Sequence, residues 1–236
     1  MIKRRDLISS AVAATAAAAQ EKPLHNTVYI PKAHRVEDLP YLQDFMDENS
    51  FVDLVTTTPS LHITHIPVLL DRSMGASGTI FGHIARNNPQ VAALTAGDAR
   101  GTIVFRGPHA YISPAWYTKP EAVPTWNFAA VHASGVLHAI EDKKELRGIL
   151  SRLITRFESH LPEPPTYEFD KLPDSYVNGM LGGIVGFELK IDTLEGKFKL
   201  GQERSDADKA SIVKHLKAAK PERTIADLTA SFYQRK

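Results

Sequence analysis

Between Phe51 and Ile140 the chain is a run of short β-branched and aromatic segments, each cut off by Gly, Pro, Ser or Asn, with room for one short helix among them. Such segments suit a pleated, half-buried surface, and the turn residues end each one. Strands are expected at 51–58, 61–70, 79–84, 101–107, 110–113 and 125–140, then at 184–191 and 198–200, six to eight in all. They do not alternate regularly with helices, so a doubly wound parallel sheet is excluded. An antiparallel α+β barrel with peripheral helices is the expected fold. Pro67 implies an edge or a bulge, and Gly135 a bulge in the longest strand.

Helical signals lie around these strands. Leu39, Leu42, Phe45 and Met46 share one face over 37–49. Pro89 opens a short helix. Asp142 and Glu145 make a capping-box start for a helix carrying Leu146, Ile149, Leu150, Leu153, Ile154 and Phe157. Further helices are expected at about 174–181, at 205–219 behind a Ser205 cap, and from Thr224, with Ile225, Leu228 and Phe232 on one side.

The first nineteen residues stand apart. A basic start (Lys3, Arg4, Arg5) leads into a mildly apolar, Ala-rich run ending in small residues, the layout of an export signal of the twin-arginine kind. The run is too short to span a bilayer. A linker over 20–28, a main domain over 29–204 and C-terminal helices over 205–236 complete the expected organisation. The 236 residues contain no cysteine, which excludes disulfides, thiolate catalysis and cysteine-ligated metal centres. Net charge is +1, without the basic stripe of a nucleic-acid binder, so a DNA partner is not expected. There is no Walker motif, G-x-G-x-x-G, G-x-S-x-G or H-E-x-x-H, and no nucleophile–base–orienter set.

The chemistry-bearing residues concentrate in 102–132, which holds both tryptophans, four tyrosines and phenylalanines, and His109 and His132. Rings alternating with turn residues suit a pocket for a flat conjugated ligand, and equally a plain aromatic core. On the strand at 61–70, His65 shares a face with Ile63, and His62 with Thr64, so the two histidines cannot chelate one metal. Arg86, Asn87 and Asn88 ahead of a helix read either as an anion cradle or as an ordinary cap. Lys197 and Lys199 share one strand face with Phe198 turned away. His83, His109 and His132 are each available as an acid or base near neutral pH.

Six motifs, in this order and spacing, carry a family resemblance. They are Tyr29-Ile30-Pro31, Thr64-His65-Ile66-Pro67, Gly82 to Pro89 (GHIARNNP), Gly107 to Pro114 (GPHAYISP), Pro124 to Phe128 (PTWNF) with Val131-His132, and Glu195 to Leu200 (EGKFKL). Together they resemble the PaiB family, usually described as FMN-binding negative transcriptional regulators. The resemblance spans about 29–208 and implies a dimeric split β-barrel of the pyridoxamine-phosphate-oxidase type, with cofactor sites at the subunit interface. Gly201 and Glu203 depart from the family pattern, which has Ser and Asn there, and the export-like start is not typical of it.

What the resemblance implies is a protein that holds a flat cofactor, FMN, and works as a redox protein. The cofactor would be contacted by Thr64, His65, His83, Arg86, Asn87, Ser113, Trp116, Tyr117, Trp126, Lys197 and Lys199. Arg86, Asn87, Lys197 and Lys199 would hold the phosphate, the two lysines reading equally as a solvated basic edge, and Trp116, Tyr117 and Trp126 would wall the ring or else pack in the core or the dimer interface. A second branch, similar to piperazate synthases, implies haem b with His65 as axial ligand and N–N bond formation as the chemistry. Transcriptional regulation is the third reading.

Overall fold

A computed structural model describes residues 27–218 except 98, 120 and 164–166. The expected export signal, most of the linker and the helix from Thr224 lie outside the described residues. Eight strands and five α-helices follow in the order β1 (Arg35–Val36), α1 (Leu39–Glu48), β2 (Phe51–Thr56), β3 (His62–Pro67), β4 (Leu69–Asp71), β5 (Thr79–Ala85), α2 (Val91–Thr95), β6 (Arg100–Ile112), β7 (Thr125–Ile140), α3 (Lys143–Glu158), α4 (Asp174–Leu181), β8 (Ile184–Lys199) and α5 (Asp206–Ala218). Among the described residues no helix is long and apolar enough to cross a membrane.

Every strand pairing is antiparallel, and the sheet order is β3-β2-β6-β7-β8-β5-β4, with β1 beside β8. The strands at the two edges, β3 and β4, are separated in the chain by Val68 alone. A sheet whose opposite edges are joined by one residue has to curl until those edges meet. That is the expected split β-barrel. Val68 is buried at the seam, and its N–H donates to the Ser50 carbonyl at 2.9 Å.

Three strand boundaries differ from the sequence expectation, each for a local reason. The segment 61–70 is two edge strands broken at Val68, directly after Pro67. The segments 101–107 and 110–113 are one strand, β6, whose register shifts between Arg106 and His109. Pro108 has no N–H to give a ladder, and the bulge lets the strand pass it without ending. The segments 184–191 and 198–200 are likewise one strand, β8, because Asp192 is the extra residue opposite the step from Ser134 to Gly135. Gly135 does mark the irregularity: a Cβ there would lie 1.9 Å from the Lys190 carbonyl oxygen.

The inward face of the curled sheet is apolar, with Leu54, Ile103, Phe105, Val131, Leu137, Phe187 and Leu189 in one cluster. Leu42, Phe45 and Met46 of α1 and Leu94 of α2 fill the same core. Asp38 caps α1 by accepting the Tyr41 N–H at 2.9 Å.

The outward face is treated differently along its length. At the end formed by β5 and the adjoining ends of β7 and β8, α3 lies on the sheet, started by Asp142 accepting the Glu145 N–H at 2.8 Å. Ile149 packs with Phe81 and Ile140, and Leu146 packs with Val177 and Leu181 of α4. Gly186 makes that approach possible, since a Cβ there would meet a Leu146 methyl at 2.7 Å. Burying each such leucine stabilises by about 1.5–3 kcal/mol. The other end of the face, over β3, β2, β6 and the far halves of β7 and β8, carries no described helix. Phe51, Ile63, Tyr111 and Trp126 stand exposed on it.

Candidate functional site on the bare sheet face

Strand register assembles this site. His65 pairs with Asp53, Asp53 with Val104, Val104 with His132, and His132 with Glu195, so one row crosses β3, β2, β6, β7 and β8. A parallel row places Arg106 opposite Ala130 and Ala130 opposite Lys197. A third sets His109 opposite Phe128 and Phe128 opposite Lys199. Because side chains alternate along a strand, these residues all project to the same outward side.

Over β6 and β7 the face is hollowed into a groove of about 590 Å³, lined by Phe51, Val104, Arg106, Gly107, His109, Phe128, Ala129, Ala130 and His132. Small-molecule sites commonly fall between about 300 and 1,000 Å³. Beyond one end of the groove Trp126 meets Tyr111 edge-on at 6.0 Å and lies 6.1 Å from the His109 ring.

Two polar constellations flank the groove. In the first, the Asp53 carboxylate accepts from His65 Nδ1 at 2.5 Å and pairs with Arg106 Nε at 3.1 Å. The carboxylate is held below the rim of the sheet, whereas the His65 side chain is 62% exposed. Nδ1 is thereby fixed as the hydrogen-bonded nitrogen, and Nε2 is the one turned to other partners. In the second, Glu195 is buried to 3% exposure. Its Oε2 accepts the Thr27 backbone N–H at 2.8 Å and the Thr27 hydroxyl at 2.7 Å, and Thr27 Oγ1 lies 3.1 Å from His132 Nδ1. Burial pulls the His132 pKa below its usual value; Lys197 pushes the same way and Glu195 opposes. Lys197 Nζ donates to the Tyr29 carbonyl at 2.7 Å and sits 5.6 Å from the Phe128 ring centre. Lys199 Nζ donates to Thr125 Oγ1 at 2.5 Å.

The eleven residues expected at a cofactor do not gather in one place. His65, Trp126, Lys197 and Lys199 belong to the bare face. Thr64 points to the opposite side from His65, into a polar plug where it donates to Gln90 Oε1 at 2.6 Å and accepts from Asn88 Nδ2 at 2.9 Å. Gln90 is fully buried and also donates to the Leu54 carbonyl. The cradle suggested by Arg86, Asn87 and Asn88 resolves as a turn: Asn88 Oδ1 accepts the Gln90 N–H at 2.9 Å, and α2 has a single turn's length. Asn87 is exposed beside it.

Arg86 spends its guanidinium on the Gly182 and Ile184 carbonyls, both at 2.9 Å, and on Glu141 at 3.0 Å. It therefore closes the C-terminus of α4 and sits near the start of β8, whereas Lys197 lies near that strand's end, roughly 40 Å of strand away. One phosphate cannot touch both. His83 lies on the helix-covered half; its Nδ1 is buried with no partner among the described residues, and desolvation pulls its pKa down. Ser113 caps a 3-10 turn by accepting the Ala115 N–H at 3.2 Å. The rings of Trp116 and Tyr117 are already covered, Trp116 stacked on His215 of α5 at 5.0 Å and Tyr117 under the Arg204 guanidinium at 4.3 Å.

Sequence reasoning passed over Asp53, Arg106, Glu195 and Thr27 as site residues. One signal was legible: Glu195 has the same strand parity as Lys197 and Lys199. Asp53 and Arg106 become a site only through cross-strand register, which no local pattern states.

A family model described as "Putative FMN-binding domain" matches residues 28–193. The chain is 36% identical over 190 residues to the protease synthase and sporulation protein PAI 2 of Bacillus subtilis, covering 80% of this chain and 89% of that one. Among solved structures it resembles the FAD and heme binding protein of Mycobacterium smegmatis, with a TM-score of 0.52 at 17% identity over 75% of this chain and 80% of that one. It also resembles a conserved hypothetical protein of Mycobacterium tuberculosis, with a TM-score of 0.50 at 13% identity over 75% of this chain and 94% of the other. These structural likenesses concern the fold.

Proposed function

The chain belongs to the FMN-binding-domain family matched over residues 28–193, and from that premise we propose that it binds FMN in the groove over β6 and β7 and acts as a redox protein. One observation carries this reading: a groove of about 590 Å³ whose apolar walls, Phe51, Val104 and Phe128, adjoin a row with a cation on either side of a small residue. In that row Arg106 and Lys197 flank Ala130. Cross-strand neighbours are about 5 Å apart, so the two cations straddle a gap of about 10 Å, which two long side chains can close on a phosphate. The rings would cover a flat heterocycle. When bound, FMN supplies hydride or single-electron transfer; the chain's own residues bind, orient and exclude water.

A second copy of the chain closing over the bare face belongs to the same reading. Phe51 is 70% exposed and Trp126 53%, and they share that face with Ile63 and Tyr111, an apolar surface of the kind that marks an interface. The test is direct. The purified protein should take up FMN, with quenched flavin fluorescence, and sediment as a dimer. A protein that takes up no flavin at high micromolar FMN sinks this reading. The basic, Ala-rich start supports export of the loaded protein, checked by finding a mature chain that begins near Gln20 outside the cytoplasm.

One observation favours a second ligand. A histidine whose Nδ1 is oriented by a carboxylate, leaving Nε2 outward, is the arrangement metal-ligating histidines adopt, and His65 with Asp53 has it. Haem b bound through His65 would give a Soret band that His65→Ala abolishes. An unchanged band in that variant excludes His65 as ligand.

A further inference from the structure

We infer that Thr27 and Glu195 hold His132 as its Nδ1–H tautomer, which makes Nε2 the proton-accepting atom of the groove and its contact for a ligand N–H or O–H. Three residues from distant parts of the chain meet here: Thr27 lies 105 positions from His132 and 168 from Glu195.

A threonine hydroxyl has one proton to give. Thr27 Oγ1 is 2.7 Å from Glu195 Oε2 and 3.1 Å from His132 Nδ1. The same Oε2 accepts the Thr27 backbone N–H at 2.8 Å, so this one oxygen is the acceptor of both Thr27 donors. The hydroxyl proton therefore goes to Glu195, and Oγ1 has only lone pairs to offer His132. For the contact to be a hydrogen bond, Nδ1 must carry the proton. Glu195 has every reason to keep this arrangement: its other oxygen, Oε1, is buried with no partner among the described residues, so Thr27 supplies both donors the carboxylate has.

A neutral imidazole protonated on Nδ1 is bare on Nε2. His132 is kept neutral by its burial and by Lys197 on the same face, which outweigh the opposing charge of Glu195. The ring lines the groove beside Val104 and Ala130, and Nε2 has no hydrogen-bond partner among the described residues. Histidine in solution prefers the opposite tautomer, so the relay reverses the ring's intrinsic choice and turns a donor into an acceptor. The ligand group it selects is a donor on a flat ring. That the ring is a flavin, whose uracil-like edge carries one N–H, rests on the function proposed above; the tautomer does not.

Nitrogen-15 NMR on histidine-labelled full chain at neutral pH decides the matter, with the His132 signals assigned by their loss in His132→Gln. We expect Nδ1 at the shift of a protonated ring nitrogen and Nε2 at that of a bare one. Thr27→Val keeps the shape and removes the hydroxyl, and should move most of the population to Nε2–H, whereas Thr27→Ser should not. Unchanged His83 signals in Thr27→Val show that the fold survives. A wild-type ring protonated on Nε2, or a Thr27→Val spectrum identical to wild type, overturns the inference. With FMN added, the Nε2 signal should shift and Thr27→Val should weaken affinity by a few-fold to about tenfold, the range of one hydrogen bond. FMN binding that leaves Nε2 and the variant's affinity unaltered overturns the ligand contact alone. If the wild type takes up no FMN, the flavin reading falls and the tautomer result still decides the relay.

Discussion

The two long strands β7 and β8, 16 residues each, run from one half of the barrel's outer face to the other, and the halves are built on opposite principles. Where α3 and α4 lie over them, Ile140 and Gly186 face outward, joined by Phe81 from β5, with His83, His138 and Glu188 as the polar residues of that half. Where no described helix lies over them, the same alternation delivers His132, Glu195 and Lys197, met by the segment carrying Thr27 and Tyr29. Pleat and pairing are identical. What differs is the company: packing holds the covered half, and cross-strand hydrogen bonds hold the bare half. Stability and chemistry are thus segregated along the same two strands, and a defect in one half should leave the other readable.

The sharpest test is Leu146→Ala in the covered half. It removes a fully buried side chain that touches Gly186 and α4, and should cost about 2–5 kcal/mol by denaturant unfolding, with FMN affinity of the folded fraction unchanged. Loss of FMN binding by that folded fraction would break the separation. Next in size, Arg106→Ala or Lys197→Ala should weaken FMN by roughly tenfold to a hundredfold, the range for a hydrogen bond to a charged group, and hardly move the unfolding midpoint, since both side chains make partly exposed pairs.

An intermediate effect comes from pH. Both His83 and His132 have pKa values pulled below 6.5 in the folded chain. Each therefore binds its proton more readily unfolded, so the cost is absent well above pH 6.5 and grows as pH falls through and below it. His83→Phe should flatten the acid side of the Tm profile; a profile unaltered by that change would relieve His83 of the role. The smallest stability effect is expected of Phe51→Ala, within about 0.5 kcal/mol for the monomer. Its sedimentation, by contrast, should shift toward single chains if a second copy covers this face.

Elements whose signal is local were legible in the sequence. The Asp142 cap and the apolar stripe of Leu146, Ile149 and Leu153 announce α3, and Gly135 announces an irregularity in β7. Elements that depend on a neighbour were not. Gly107-Pro108 and Asp192-Thr193 read as breaks, yet β6 and β8 pass through them, because a bulge lets a partner strand absorb the mismatch. The site divides the same way. His65 and Ile63 share a face as the two-residue period requires, whereas the partnership of His65 with Asp53 and Arg106 depends on two strand pairings. Arg86 misled for a physical reason: an arginine before Asn-Asn-Pro looks free to take an anion, but three acceptors of the chain itself already surround it.

The seam at Val68 has a consequence for how the barrel is closed. Each pair of neighbours in the sheet is laced by ladder hydrogen bonds, but the edges β3 and β4 are linked by covalent chain. Cutting the backbone there would leave every ladder intact and put closure on the shared core, where Ile66 of β3 joins Ile80 and Ile84 of β5. Tether and core thus close the barrel together: a single residue keeps the rims within reach, and the apolar cluster fills the space between them.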